Sequence, residues 1–160
     1  MFNNVYNGKT VLVTGHTGFK GSWLSIWLNM MGAKVVGYSL DPYSERGNFE
    51  ACHLHDRLLA DIRGDTRDYE KLNQTIKQYR PEIIFHLAAQ ALVRKAYAHP
   101  KETYETNLMG SLNIMEAVRE NDCVKTVVMI TSDKCYENVE QIWGCLLYTS
   151  PSPRDTERSR

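Results

Sequence analysis

The chain has 160 residues, enough for one domain with a buried core but too few for two. Its 19 basic and 19 acidic side chains cancel, which excludes a bulk electrostatic attraction to nucleic acid or to anionic lipid. No apolar run approaches the roughly 20 residues that span a bilayer, and the first residues lack a secretory signal. We therefore expect no nucleic-acid or membrane partner, and a cytoplasmic protein whose cysteines stay reduced.

The apolar pattern predicts strands and helices in alternation. Strands are predicted at 9–14, 34–40, within 58–64, at 82–87 and at 124–131, with helices at 18–31, 68–79 and 97–120. Continuously apolar strands indicate a parallel sheet covered on both faces, and right-handed crossovers give the strand order 3-2-1-4-5. The prediction is an α/β fold with a doubly wound parallel sheet of the Rossmann type, truncated after its fifth strand.

The first helix carries large apolar residues at spacings of three and four. They are Phe19, Trp23, Ile26, Trp27 and Met30. This spacing predicts one apolar face that packs on the sheet, with both tryptophans in the core.

A glycine-rich turn, TGHTGFKG, joins the first predicted strand to the first helix. Gly15 would permit a tight turn, Gly18 would let the main chain approach a pyrophosphate, and Gly21 would let the helix pack on the strand. The helix N-terminus would offer N–H groups and partial positive charge to the phosphates. We predict a dinucleotide site that includes Thr17 and Phe19; a turn that serves packing alone is the alternative.

The end of the second predicted strand bears on the choice between NAD and NADP. An acidic residue at this position holds the ribose hydroxyls in NAD-binding folds. Asp41, two residues after Ser39, is the candidate, although it could equally begin a turn with Pro42. No arginine adjoins Ser39 in the sequence to claim a 2′-phosphate, and the nearest is Arg46. NAD is therefore the expected cofactor.

Several sequence segments carry a family resemblance. They read HTGFKGSWLS, GYSLDP, GDTRD, FHLAAQALVRKAY and TSDKCYEN. The three-residue step between the first two glycines resembles the short-chain dehydrogenase/reductase superfamily. From about residue 9 to residue 144 the chain is similar to the CDP-glucose 4,6-dehydratases, an extended branch of that superfamily that processes sugar nucleotides.

The resemblance implies further cofactor contacts after three of the strands. These would come from Asp65 and Thr66 at the adenine, from Leu87, Ala88 and Ala89 at the nicotinamide ribose, and from Thr106 in the long helix. Each segment also has a structural explanation: a helix-capping acid, simple packing of alanines, and an Asn107 that braces neighbouring loops.

Three polar residues directly after the fifth predicted strand are the candidate catalytic group. Such a loop is where ligands bind in parallel sheets, although an Asp-Lys pair in a loop is often only a solvated pair. The resemblance implies that Ser132 hydrogen-bonds the sugar 4-hydroxyl and that Asp133 protonates the leaving 6-hydroxyl. Lys134 would assist removal of the C5 proton or orient the acid. A lysine at this third position points to the CDP-sugar branch.

The implied reaction is an internal oxidation and reduction of CDP-glucose or a similar sugar nucleotide. NAD⁺ would take hydride from C4, water would leave across C5–C6, and the hydride would return to C6. The full-length protein would be a homodimer that supplies deoxysugars for surface polysaccharide. The alternatives are another sugar-nucleotide dehydratase or epimerase, and a non-catalytic dinucleotide-binding module. No metal is expected, because the CHLH segment at 52–55 has no second ligand cluster.

The last part of the chain departs from the family pattern. The superfamily's Tyr-x-x-x-Lys pair does not occur after the fifth predicted strand, and residues 145–160 are rich in Ser, Pro and Arg. We expect 1–144 to be an incomplete NAD(P)-binding domain and 145–160 to be a disordered tail. This tail resembles a translated sequencing adapter. We therefore expect a tail that is not native to the protein. We also expect that the C-terminal substrate domain is missing and that the fragment is inactive.

Overall fold

A five-stranded parallel sheet forms the centre of the computed structural model, which describes residues 2–131. The strands are β1 (Thr10–Thr14), β2 (Lys34–Ser39), β3 (Ala60–Arg63), β4 (Ile83–His86) and β5 (Thr126–Met129). Their spatial order is β3-β2-β1-β4-β5, and every neighbouring pair is parallel. The predicted doubly wound order is therefore confirmed.

Six α-helices connect the strands of the described part of the chain. They are α1 (Phe19–Met30), α2 (Asn48–Ala51), α3 (Tyr69–Tyr79), α4 (Val93–Ala98), α5 (Pro100–Tyr104) and α6 (Gly110–Glu120). Short 3₁₀ turns lie at Phe2–Asn4 and Leu54–Arg57, and a π turn at Glu105–Met109 joins α5 to α6. Within residues 2–131, no helix has the length and apolar character needed to cross a membrane.

The core lies on both faces of the sheet because successive strand residues point in opposite directions. Leu12 of β1 belongs to the face covered by α3 and α6, whereas its neighbours Val11 and Val13 belong to the face covered by α1. The chain divides into two units, Met1–Met129 and Ile130–Arg160, and this sheet belongs to the first. The predicted boundary between 144 and 145 falls outside the described residues.

The predicted apolar face of α1 is wrong. Trp23 is 54% exposed and Met30 is 80% exposed, and Phe19 and Trp27 are exposed as well. The helix instead buries a stripe of mostly small residues, Gly21, Ser22, Ser25 and Leu28. Small residues let the helix approach the sheet closely, and the buried hydroxyls of Ser22 and Ser25 are satisfied by donating to main-chain oxygens one turn earlier.

The predicted long helix at 97–120 is interrupted near its start. Helix α4 already begins at Val93, and His99 leaves the helical region with φ −132° and ψ 64°. The next residue, Pro100, has no N–H to continue α4 and restricts the residue before it, so it begins a new helix instead. From Pro100 the chain is helical to Glu120 through the π turn.

A buried hydrogen-bond chain joins β1, β4 and the helix after the π turn. The main-chain N–H groups of Leu87 and Ala88 donate to Thr14 Oγ1 at 3.2 Å, so the Thr14 hydroxyl donates to His86 Nδ1 at 2.7 Å. His86 Nε2–H then donates to Ser111 Oγ at 3.2 Å, and the Ser111 hydroxyl donates to the main chain at 2.7 Å. Because every donor has an acceptor, the network assigns a neutral His86 with its proton on Nε2.

Burial of His86 makes the stability of the fold depend on pH. Desolvation lowers its pKa from 6.5 to about 4. Between these two values the unfolded chain binds more protons than the folded one, so stability is lost as the pH falls from 6.5 to 4. One such group contributes a slope of about 1.4 kcal/mol per pH unit, or roughly 3 kcal/mol over the window.

We predict that His86→Gln reduces this pH slope in urea unfolding measured at pH 7, 6, 5 and 4.5. Glutamine can bridge the same polar partners but does not titrate. The exposed His99→Gln variant is the control and should keep the original slope. An equal slope in His86→Gln and the unsubstituted chain would contradict this assignment.

Candidate cofactor site

The glycine turn brings three main-chain segments into direct contact. Gly15 has a φ of +74°, and a Cβ at this position would lie 2.8 Å from the main-chain nitrogen of Ala88. A Cβ on Gly21 would lie 2.1 Å from the carbonyl oxygen of Gly15. No side chain fits at either position, so the predicted turn and packing roles of these two glycines match the geometry.

Gly18 has a different environment, open to solvent. It is the N-cap of α1 with φ −76° and ψ 167°, and a Cβ there would meet the Gly15 oxygen at 3.3 Å. The N–H groups of Phe19 and Lys20, in the first turn, have no acceptor within the helix, and no acidic residue lies in that turn. An anion at this helix end would meet free donors and partial positive charge, so the site fits a diphosphate.

Thr17 ties the turn to the end of β2. Its hydroxyl donates to the main-chain oxygen of Leu40 at 3.1 Å and accepts from Ser39 Oγ at 2.8 Å. The glycine turn and the predicted ribose position are therefore held side by side.

The ribose position contains an arginine that the sequence did not suggest. The register of β2 and β3 places Arg63 opposite Ser39, and Arg63 Nε lies 3.2 Å from Asp41 Oδ1. Arg46 is the nearest arginine along the sequence. In the folded structure, however, Arg63 lies beside Ser39, so the expectation that no arginine is close to Ser39 is wrong. The adjacent strand supplies it, at a distance in sequence that local inspection does not reach.

Behind Arg63 lies a buried polar pair. Asp61 accepts two hydrogen bonds from the Arg63 guanidinium, at 2.8 Å and 3.0 Å, and another from His16 Nε2 at 2.8 Å. His16 is fully buried, and its ring occupies the space beside Gly37, where a Cβ would lie 2.4 Å from the ring. Burial lowers the His16 pKa below its usual 6.5 despite the hydrogen bond that His16 donates to Asp61, so the imidazole is neutral at pH 7.

The predicted adenine contacts lie after β3. The Asp65 carboxylate accepts from the guanidinium and the main-chain N–H of Arg67, and the Arg67 hydrogen bonds lower the Asp65 pKa. Asp65 does not cap α3; that cap is Asp68, which accepts from Lys71 N at 3.1 Å. Thr66 is buried and its Oγ1 faces Gly110 on α6, 2.6 Å from where a Cβ would stand. The main-chain oxygen of Thr66 accepts from Asn113 Nδ2 of the same helix at 2.9 Å.

The loop after β4 lies against both the glycine turn and the helix. Leu87 and Ala88 donate to Thr14 as described, and Ala89 is exposed. One residue further on, the Asn107 side chain holds the main chain of Gln90 with two hydrogen bonds, at 2.7 Å and 3.0 Å. The bracing role considered for Asn107 is thus present, and Thr106 lies half-buried beside it in the π turn.

Two further groups of candidate residues were singled out in the sequence. Ser132, Asp133 and Lys134 fall outside the described residues. His53, His55 and Asp56 place one potential ligand atom each within 4.8 Å of one another, and all three are exposed. Within the segment at 52–55 the two histidines are exposed, whereas Leu54 is fully buried.

Sequence reasoning missed two separate polar networks, one that contains Asp61 and Arg63 and one that contains His86 and Ser111. The first two become visible when the strands are aligned as parallel neighbours, because β3 then ends beside β2. The hydrogen bond between His86 and Ser111 joins a strand to a helix, and no local sequence pattern predicts it.

The family model described as GDP-mannose 4,6 dehydratase matches residues 12–143. The chain belongs to this family. The resemblance predicted from the sequence is confirmed, since a CDP-glucose 4,6-dehydratase of Salmonella typhimurium is 54% identical over 88% of the chain. A CDP-paratose 2-epimerase of Salmonella typhi is 29% identical over 82% of the chain.

Solved structures agree with this family. A UDP-glucose 4-epimerase from Brucella ovis, in complex with NAD, superposes with a TM-score of 0.71 and 27% identity, over 84% of this chain and 39% of that one. The chain spans 39% of the length of each of the two curated Salmonella relatives.

The two contrasting glycines give a test of the turn. We predict that Gly21→Ala lowers the free energy of unfolding by about 3 kcal/mol or more, because its Cβ would collide with the main chain. Gly18→Ala should cost less than about 1 kcal/mol, since its φ suits any residue and the contact is only tight. Urea unfolding of both variants measures the difference. Equal losses would show that the contact between Gly15 and Gly21 does not constrain the fold.

Proposed function

We propose that this chain is the nucleotide-binding part of an NAD-dependent CDP-glucose 4,6-dehydratase, a lyase that forms CDP-4-keto-6-deoxyglucose and water. The observation that carries the dinucleotide site is the open N-terminus of α1 at Gly18, set between two glycines that admit no side chain. The substrate is supported by the 54% identity to the Salmonella dehydratase. NAD is supported by the complex of the Brucella ovis relative.

In this proposal the cofactor lies along the carboxyl ends of the strands. The N–H groups of Phe19 and Lys20 hold the diphosphate, and Asp41 accepts from a ribose hydroxyl. The remaining contacts extend from the adenine to the nicotinamide side. They involve Gly15, Thr17, Gly18 and Gly21 at the turn, Asp65 and Thr66 at the adenine, and Leu87, Ala88, Ala89 and Thr106 near the nicotinamide ribose.

Three of the chain's own polar groups would orient the substrate and move the protons at C5 and at the 6-hydroxyl, whereas the 4-hydroxyl proton would go to the tyrosine of the superfamily's Tyr-x-x-x-Lys pair, which does not occur after the fifth predicted strand. The bound cofactor supplies a hydride acceptor for C4 of the glucose unit. Ser132 hydrogen-bonds the 4-hydroxyl, Asp133 protonates the departing 6-hydroxyl, and Lys134 assists removal of the proton from C5. The loop after the fifth strand supports this placement because ligands bind at the carboxyl edge of parallel sheets.

We further propose that the full-length protein is a homodimer that works in the cytoplasm, in deoxysugar synthesis for surface polysaccharide. An exposed apolar stripe runs along one side of the helical segment from Pro100 to Glu120. It consists of Tyr104, Leu108, Leu112 and Met115, at spacings of four, four and three. Two copies packed through this stripe would remove the apolar side chains from water.

Cofactor binding is tested by changing charge at the helix end while keeping its shape. Aspartate and asparagine are both favourable N-cap residues, so neither Gly18→Asp nor Gly18→Asn should weaken the fold appreciably. Because the aspartate carboxylate would lie beside the diphosphate, we predict about tenfold weaker NAD⁺ binding for Gly18→Asp than for Gly18→Asn. Isothermal titration calorimetry with the 160-residue chain measures both affinities.

High salt should narrow the difference between these variants, since it screens exposed charges. If the two variants bind NAD⁺ equally well, the diphosphate does not lie at this helix end. If the unsubstituted chain releases no heat with either NAD⁺ or NADP⁺, the dinucleotide site is refuted.

The substrate is tested with a full-length protein that contains this region. We predict turnover of CDP-glucose in preference to the dTDP-, GDP- and UDP-linked sugars. The variant Asp133→Asn should still oxidise C4, seen as absorbance of the reduced cofactor, but should lose dehydration by about 100-fold or more. Epimerised product without loss of water would favour the epimerase alternative, and unchanged dehydration in Asp133→Asn would reject the role of this acid.

A further inference from the structure

The end of β3 places a guanidinium at the predicted ribose position. Gly64 N donates to the carbonyl oxygen of Ser39 at 2.9 Å, so the two strand ends lie together. Arg63 stands opposite Ser39, with its Nε 3.2 Å from Asp41 Oδ1. The chain therefore offers both a carboxylate and a cation where a dinucleotide carries its 2′ substituent.

The guanidinium is fixed from behind. Asp61 takes two of its hydrogen bonds, and the Arg63 guanidinium carbon lies 5.1 Å from the centre of the Phe49 ring. Asp61 is in turn held by His16, whose ring packs edge-on against Phe49 at 5.4 Å. Arg63 is thus oriented before any ligand arrives, which reduces the entropy lost on binding.

Asp41 is held much less firmly. Its side chain is 88% exposed, compared with 35% for Arg63, and exposed ion pairs contribute little to holding a side chain in place. Asp41 can therefore exchange its contact with Arg63 for a ribose hydroxyl, while Arg63 stays in position. The exposed Asp41 carboxylate thus contacts a guanidinium that Asp61 holds in place.

We propose that Asp41 and Arg63 together set the preference between NAD and NADP, with Arg63 a preformed receptor for a 2′-phosphate that Asp41 blocks. A charged Asp41 accepts from the 2′-hydroxyl of NAD and repels the phosphate of NADP. When the Asp41 carboxylate is replaced by an uncharged amide, Arg63 Nε can instead pair with the 2′-phosphate of NADP. The inference rests on the proposed dinucleotide site and adds a specificity-determining residue to it.

The first experiment removes the charge of Asp41 and keeps its shape. Calorimetry on the 160-residue chain compares NAD⁺ and NADP⁺ for the unsubstituted protein and for Asp41→Asn. The unsubstituted chain should bind NAD⁺ at least tenfold more tightly than NADP⁺. Asp41→Asn should bind NADP⁺ about tenfold more tightly than before, a gain of about 1.4 kcal/mol.

The second experiment asks which arginine receives the phosphate. Adding Arg63→Met to Asp41→Asn should abolish the gain in NADP⁺ affinity, and Arg63→Lys should reduce it several-fold because lysine keeps the charge beside Asp61 but loses the planar fork. Arg46→Met in the same background is the matched control and should leave the gain intact. Thermal unfolding checks that each variant is folded. If Arg63→Met does not fold, the comparison of NADP⁺ affinities is made with Arg63→Lys.

The outcomes separate this inference from the function on which it rests. Binding of neither dinucleotide by the unsubstituted chain overturns both. Binding of NAD⁺ with no gain of NADP⁺ affinity in Asp41→Asn overturns the specificity role alone. The specificity role is also overturned if the gain in NADP⁺ affinity persists in the variant with Arg63→Met, or if it is abolished by Arg46→Met.

Discussion

The close approach of main chain to main chain at the start of α1 determines most of the other features of the structure. Helix α1 can lie directly on the end of β1 because Gly21 carries no side chain above the Gly15 carbonyl. This contact selects which side of the helix faces the sheet, and that side consists mostly of small residues. It also leaves the helix N-terminus at the carboxyl edge of the sheet, where free N–H groups can meet an anion.

The same contact explains why the hydrophobic pattern of α1 misleads. Phe19, Trp23 and Met30 are spaced as core residues should be, yet they lie outside. Periodicity reports that a helix has an apolar side, but it does not report whether the closest neighbour is a flat sheet surface or a backbone turn. Where two main-chain segments are in contact, the size of the side chains determines which helix face packs there, and their hydrophobicity does not.

Sequence could predict the elements whose cause is local. The five strands, their order and the three glycines of the turn follow from apolar runs, crossovers and allowed backbone angles. The interruption at Pro100 was also readable, because proline constrains the residue before it. The pairing of Arg63 with Asp41 was not, since it depends on two strands whose alignment is set by the whole sheet. The link between His86 and Ser111 has the same non-local origin.

The loop at 87–89 is fastened at both ends to one helical turn. On one side His86 reaches the carbonyl of Asn107 through Ser111, and on the other side the Asn107 side chain grips Gln90. This segment is therefore held from two sides, by Thr14 of β1 and by the π turn. A rotation of the π turn would therefore pull on residues 87–89, so the segment predicted to contact the nicotinamide ribose is coupled to the apolar stripe around Leu108.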